Sequence, residues 1–499
     1  MTETASMAAE SIRRFALGGV AVAIVRKGRP PEYFSAGLAD RATGRPVETG
    51  TVFRIASISK TMTAVGLMQL RDQGLFDLDD PVNDYLSTLR LVPPPGGPAV
   101  TFRHLLTHTA GIGEMPRVAD ALHREVWGMG PPGTAAADVG SLYGGTFHTE
   151  VPAGSKWAYA NHGFVVLGQL VQDISGVPFA EYMQERIFGP LKMPHTEYLR
   201  SERTAAQVAT GYHWILGTLR AVKDYDLTVL GAGSVLSSLS DMATYATWLA
   251  AGSTARSGVL AASTKAEMMS PHYALDPRLP GQGLAFFLSQ FAEHNVVGHD
   301  GNIPGFASCV LAVPSQGLGV VVLTNTATLY GANRLAAMVL RSLLDVPDPV
   351  AQLSSSTVVA QPHVWADLVG CYAPSPGLLT NARSWQMLGG EVQVVISERQ
   401  LCLQALSPVK QMRKGFVLHA THPEDPLRFA FEFKGAAIPL VFERSGSDQV
   451  NRLIIGRPVQ AVLTRRPRLR SSRLRLRVIA GLAALATLRR MGQKLRSRQ

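Results

Sequence analysis

Only three cysteines occur in the 499 residues: Cys309, Cys371 and Cys402. They are odd in number, far apart, and without a CxxC or Cys/His spacing. A disulfide framework and a zinc-organised fold are therefore excluded as starting points. Buried apolar thiols are expected. So few cysteines suit a reducing compartment. Also missing is any run of about 18 uncharged apolar residues, so no spanning helix is expected. The apolar stretch Phe15–Val25 follows Arg13-Arg14 and imitates an export signal. No small-residue cleavage site follows it. Its Gly19–Val25 part is β-rich and runs into Arg26-Lys27-Gly28, the mark of a strand and a turn. The expectation is a cytoplasmic protein, with export left open.

Acidic residues are absent from Thr464 to Gln499, where twelve Lys and Arg gather. The whole chain carries +11, so the rest carries −1. The basicity belongs to the tail, and a nucleic-acid partner is not expected. Leu474, Val478, Leu482, Leu485, Leu488 and Leu495 fall at mostly helical spacing between arginine clusters. That pattern suits an interfacial helix on an anionic membrane. Peripheral membrane contact through residues 464–499 is the partner expectation.

With 46% apolar residues, the chain is longer than one core usually holds. Residues 19–39 read as a hairpin, and Ser57 to about Leu75 as a helix with an apolar face. Residues 102–107, Gly163–Ile174, Phe179–Ile187, Ser240–Ala250 and Tyr330–Leu344 also read as helices, with Ser240-Asp241 as a cap. Residues 129–148, rich in Gly, Pro and Ala, read as a long mobile loop. Residues 284–291, 294–299, 306–313 and 318–324 read as successive strands. The expected layout is a first domain at 1–348, a linker at 349–362, and an all-β barrel-like domain at 363–463. The basic tail at 464–499 ends the chain.

The chemistry begins at Ser57-Ile58-Ser59-Lys60. A serine hydroxyl is a weak nucleophile until a base takes its proton. Residues i and i+3 share a helix face, so Lys60 can point its amine at Ser57, whereas Ser59 is wrongly spaced. A lysine acts as a base only when burial or nearby charge disfavours its ammonium form. Unpaired N–H groups at the helix start favour a developing oxyanion. Tyr159-Ala160-Asn161 offers a phenol for proton relay and a carboxamide for a carbonyl or an amine. Gly298-His299-Asp300-Gly301 lies in a β-rich stretch, where glycine lets a backbone approach a ligand closely. The G-x-S-x-G elbow of α/β-hydrolases is absent.

SxxK, YxN and HxG in this order resemble the serine β-lactamase and penicillin-binding-protein family. This is the type of class C β-lactamases, family VIII esterases and D-aminopeptidases. Further segments carry the same resemblance: 51–60, 102–112, 152–161, Gly231-Ala232-Gly233 with Ser240-Asp241-Met242, and 298–306. The likeness covers roughly residues 15–345. It implies an α+β fold, with an antiparallel sheet flanked by helices, a helical subdomain, and the site at their junction. It further implies Ser57 as acylated nucleophile, Lys60 as base and Tyr159 in the proton relay, with no metal and no cofactor. Asn161, His299, Gly301 and Asn302 would contact substrate, and the N–H groups of Ser57 and Asn302 would form the oxyanion hole. Residues 363–463 resemble the lipocalin-like domains attached to some relatives.

His299 stands where lactamases carry lysine, and Asp300 where they carry a hydroxyl. Asp300 would oppose a β-lactam carboxylate if it faced the site. The expected function is therefore an esterase or amidase on small acyl substrates. A D-amino-acid peptidase or β-lactamase, and a non-catalytic scaffold, are the alternatives. His104 and His108 are expected to fix a loop, and Ser155-Lys156 to form a solvated turn.

Overall fold

The computed structural model describes residues 3–114, 128–252, 258–328, 330–354, 361–405, 410–444, 446, 449–457 and 459–467. The chain forms two compact units: Met1–Asp348 with Gly377–Thr380, and Pro349–Pro376 with Asn381–Gln499.

The first unit is built on a seven-stranded antiparallel sheet. In spatial order its strands are Phe287–Phe291, His294–Ile303, Phe306–Val313, Leu318–Thr324, Gly19–Arg26, Glu32–Asp40 and Arg45–Pro46. Gly19–Arg26 therefore pairs with a strand some 300 residues later, Val22 opposite Val322. Side chains alternate across a strand, so this strand feeds two cores. Ala21, Ala23 and Val25 join the large core that includes the helix Leu239–Ala250. Val20, Val22 and Ile24 join a second core with Leu335, Ala336, Val339 and Leu340 of the helix Gly331–Leu344. The sheet is thus covered on both faces, which is why its central strands read as unbroken apolar runs. The helix Glu3–Arg14 was not anticipated. It buries Ala8 and Ser11 and packs on the Glu32–Asp40 strand.

The helical part holds Ser59–Asp72 against Asn161–Ser175. Gly66 allows this region to close up, because a Cβ there would lie 2.6 Å from Met183 Sδ. Two readings need correction. Residues 129–148 are not one loop: they contain the helix Val139–Tyr143, capped by Asp138, and the strand Thr146–His148. The cap of the Leu239–Ala250 helix is Ser238, whose hydroxyl accepts from Asp241 N–H, and not Ser240.

The second unit is a nine-stranded antiparallel sheet that nearly closes into a barrel. Its first strand, Gly370–Pro374, pairs with its last, Ala461–Arg466. Alternate residues such as Val392, Val394, Leu401, Leu403, Leu440, Phe442, Leu453 and Leu463 fill its core. Three short helices, Pro362–Leu368, Ala382–Leu388 and Lys410–Lys414, interrupt a stretch read as almost wholly β. Pro349–Ser354, inside the expected linker, is helical too. Residues 464–466, read as the start of the tail, complete the last strand. Residues 468–499, which hold the amphipathic pattern, lie outside the described residues. Among the described residues no single helix is long and apolar enough to cross a membrane.

Candidate active site

The segment before Ser57 is held in place by pairing with residues far along the chain. Val52–Arg54 pairs with Leu236–Ser238, and Ile55 N–H donates to Val235 O. The chain then turns sharply. Ala56 has φ 50°, a left-handed conformation that costs a residue with a Cβ about 1–2 kcal/mol. Such strain persists only where the surroundings impose it, and it presents the next side chain, Ser57. Ala56–Ile58 forms a single 3-10 turn, and the α-helix proper begins at Ser59. Ser59 is wholly buried and structural: its hydroxyl donates to Ala56 O and accepts from Val235 N–H.

Lys60 is fully buried. Its Nζ donates to Ser57 Oγ at 3.0 Å, to Asn161 Oδ1 at 2.8 Å and to Ala232 O at 2.7 Å. Each acceptor arrives by its own route. Ser57 is one turn back, Asn161 opens the helix Asn161–Ser175, and Ala232 sits between two glycines. Gly231, at φ 91°, cannot carry a side chain, because a Cβ would lie 2.4 Å from Phe164 O. The close backbone approach at Gly231 leads into Ala232, whose carbonyl reaches the amine. Lys60 Nζ also lies 5.0 Å from the centre of the buried Tyr159 ring.

Tyr159 and Asn161 are steered by His108. This histidine is buried at φ 60°; its carbonyl accepts from Ala158 N–H and its Nδ1 from Ala160 N–H at 3.1 Å. Its ring lies 4.4 Å from that of Tyr159. The loop-fixing role expected of His108 is what the geometry supports. His104 accepts from Thr101 N–H and completes a capping box on the helix Phe102–Leu106. Burial holds its imidazole below the usual histidine range.

On the opposite side stands the strand His294–Ile303. His299 is buried, its Nδ1 is 2.5 Å from Asp300 O, and its ring stacks on Phe287 at 4.4 Å. Gly301 abuts the nucleophile turn: a Cβ there would meet Ile55 O at 2.4 Å, Ser308 Oγ at 2.6 Å and Ala56 Cβ at 2.8 Å. The backbone of Asn302 follows directly. The Asn302 side chain turns away and donates to Thr328 O at 2.7 Å. Any contact of Asn302 with a ligand beside Ser57 is therefore left to its backbone.

Asp300 does not face this cluster. Strand alternation sends it to the other face of the sheet, where its carboxylate accepts from Asn333 Nδ2 at 2.6 Å. The feared repulsion of a substrate carboxylate is thereby removed.

Three features escaped the sequence reading. The first is an apolar wall of Trp157, Tyr159 and Phe287, backed by Tyr273 and Leu275, with Trp157 Nε1 donating to Gln282 Oε1. The second is a half-buried ion cluster around Arg54, in the segment that leads to Ser57. Arg54 bonds to Tyr225 O and to the carboxylates of Asp224 and Asp226, which Arg200 also grips. The third is Glu150, whose carboxylate accepts from the N–H groups of Leu378, Leu379 and Thr380. Lys156 reaches Thr380 Oγ1 at 3.4 Å, so it is not the solvated residue expected. Burial pushes its ammonium down to about 8. None of the three has a motif, since each depends on partners remote in sequence.

Chemically, the arrangement offers a hydroxyl within proton-transfer reach of a buried amine, beside a phenol, a carboxamide and an apolar wall.

A family profile described as Beta-lactamase matches residues 6–344. Penicillin-binding protein 4 of Amycolatopsis lactamdurans is 30% identical over 322 residues, spanning 62% of this chain and 80% of that protein. Penicillin-binding protein 4* of Bacillus subtilis is 24% identical over 428 residues, spanning 79% and 91%. The octameric penicillin-binding protein homologue of Pyrococcus abyssi shares the fold, with a TM-score of 0.59 over 91% of this chain and 98% of that one, at 21% identity.

Proposed function

The chain belongs to the β-lactamase family of serine hydrolases, and within it we propose an esterase or amidase acting on small acyl substrates through Ser57. The carrying observation is the 3.0 Å contact between Lys60 Nζ and Ser57 Oγ, with Asn161 and Ala232 fixing the amine. In its neutral form Lys60 takes the hydroxyl proton as Ser57 Oγ attacks the substrate carbonyl. The resulting oxyanion is met by the N–H groups of Ser57 and Asn302. The proton passes, with Tyr159 in the relay, to the leaving alcohol or amine as its bond to carbon breaks. Water then attacks the acyl-enzyme by the same path and releases the acid. Asn161, Gly301 and His299 line the substrate. The wall of Trp157, Phe287, Tyr273 and Leu275 favours an apolar acyl or side-chain group.

A second reading, a D-amino-acid peptidase or β-lactamase, gains from Asp300 being turned toward Asn333. A substrate carboxylate would meet no opposing charge from that residue.

The deciding experiment is hydrolysis of p-nitrophenyl butyrate by the wild type and by Ser57→Ala. Turnover that vanishes in the variant supports the proposal. Turnover retained by Ser57→Ala overturns the assignment of the nucleophile. If neither protein turns over, D-amino-acid amides and a β-lactam are tried next, and failure there leaves the scaffold alternative.

A further inference from the structure

Residues 212–221 form a two-stranded hairpin that stands apart from the main sheet. Ile215 pairs with Thr218, so the turn is Leu216-Gly217, with φ 49° and 79°. Two positive φ values define a tight turn that favours Asn, Asp or Gly at its first position. A leucine there is strained. It is also fully exposed, while Trp214 and Ile215 beside it are each 48% exposed. Leu216 thus combines backbone strain with complete hydration of an apolar side chain. Neither folding nor solubility explains the choice.

The hairpin is held at its base, where Tyr212 N–H donates to Asn325 O and Ala327 N–H donates to Tyr212 O, and also along its flank. Trp214 Nε1 donates to Ala16 O at 2.6 Å, and Leu219 packs toward Gly18. The apolar tip is therefore displayed by a fixed element. Along the chain, the charges that flank this hairpin and its partner Ala16 are mostly of one sign. Arg220 and Lys223 are exposed on the hairpin and just after it, and Arg13 and Arg14 are exposed just before Ala16. Asp224, the acid nearest in sequence, is already paired with Arg200 and Arg54. Glu10 lies one turn further back on the N-terminal helix.

We propose that Trp214-Ile215-Leu216 is a finger that enters the interfacial layer of an anionic lipid bilayer. A tryptophan and two aliphatic side chains at or beside the turn suit the headgroup–acyl boundary, and the exposed cations that flank the hairpin and Ala16 suit anionic headgroups. Burying Ile215 and Leu216 in that layer reverses the cost of exposing them. The finger is independent of the reaction at Ser57. In sequence it lies far from the basic tail, and two weak attachments together hold a protein on a membrane better than one.

The test uses the full chain and vesicles of phosphatidylcholine with or without phosphatidylglycerol. The double variant Ile215→Thr, Leu216→Gly relieves the strained turn, so its folding is not at risk. Its partition onto anionic vesicles is expected to fall about tenfold or more, by the loss of two buried aliphatic groups. A second measurement places an environment-sensitive nitrobenzoxadiazole label on Leu216→Cys, with Leu75→Cys as an exposed control. Emission from position 216 should shift to the blue on anionic vesicles, and emission from position 75 should not. Equal binding by the double variant, or an unshifted label on vesicle-bound protein, would assign binding to another region and overturn the proposal. Absence of vesicle binding overturns it too. So does a fall in solution mass of the double variant without lipid, which would make the tip a contact between copies of this chain.

Discussion

Asn161 Oδ1 lies 2.8 Å from Lys60 Nζ, and with Ala232 O it points the amine at Ser57. The amine is fully buried, so its rotamer is fixed by these partners and not by solvent. Replacing Lys60 by methionine should keep the fold and lower kcat/KM by about 10²–10⁴, the usual worth of a positioned base. Lys60→Arg should fare no better, because a guanidinium does not give up its proton. Asn161→Asp is the sharper variant. A carboxylate at that distance favours the ammonium form. The acid limb of the kcat/KM profile should move to higher pH, and an unmoved limb would deny Lys60 the role of base.

Gly301→Ala tests the junction of sheet and nucleophile turn. The added methyl would sit 2.4 Å from Ile55 O and 2.8 Å from Ala56 Cβ, and neither neighbour is a flexible chain end. Overpacking of this kind costs about 1–3 kcal/mol. The same displacement moves Ala56, and with it Ser57, against the N–H of Asn302. A loss of about 10²-fold in kcat is expected, since small misplacements of reacting groups are that costly. Thermal unfolding and kinetics on one preparation separate the two effects. An alanine variant with wild-type kcat would show that the strand does not set the site.

Arg54 tests its ion cluster. It is 2% exposed, faces Asp224 and Asp226, and stacks on Tyr225 at 4.5 Å. Arg54 is the buried member, whereas Asp224 is 55% exposed and both acids keep Arg200, so the loss should fall short of a fully stranded buried charge, at about 1–3 kcal/mol. Arg54→Met should therefore lower stability by that order in denaturant unfolding. Arg54→Lys should recover only part, lacking the planar fork and the stacked face. A methionine variant as stable as the wild type would mean that Arg200 alone satisfies both carboxylates.

The fold and the candidate site differ in how much the sequence disclosed. Ser57, Lys60, Tyr159 and Asn161 sit in local motifs whose side chains meet because helix and loop geometry bring them together. The strands from 287 to 324 announce themselves by apolar runs, since both sheet faces are covered. What stayed hidden depends on distant partners. Asp300 looked like a threat until its strand register turned it toward Asn333. Lys156 looked solvated until Thr380, more than 200 residues later, was found against it. The helix Glu3–Arg14 turns Ala8, Ser11 and the partly buried Met7 and Ile12 to the sheet, a face at helical spacing that was passed over beside the longer apolar stretch that follows it. The helix Val139–Tyr143 is only five residues long, below the reach of periodicity.

Glu150 and Thr380 give a prediction in pH. Burial alone would raise the Glu150 carboxyl, but hydrogen bonds from Thr380, Leu379 and Leu378 outweigh it and hold the group below its ordinary value. A carboxyl depressed in the folded state contributes its stabilisation above its unfolded value. That contribution is lost as pH falls through the lower, folded value. The attachment of residues 378–380 should therefore be intact at neutral pH and release in the acid range, below the ordinary glutamate value of 4.5. Hydrogen exchange of the Leu378, Leu379 and Thr380 amides, corrected for the intrinsic pH dependence, reads this directly. Protection should be steady above that value and fall below it. Glu150→Gln keeps one acceptor oxygen but no charge, so its protection should be weaker at neutral pH and flat through the acid range. Lys156, held down at about 8, has the opposite sign: its buried charge weighs against the folded state below that pH and is relieved above it. Lys156→Met should leave the acid transition in place, and losing it in that variant would mean that the lysine and not the carboxylate carries the dependence.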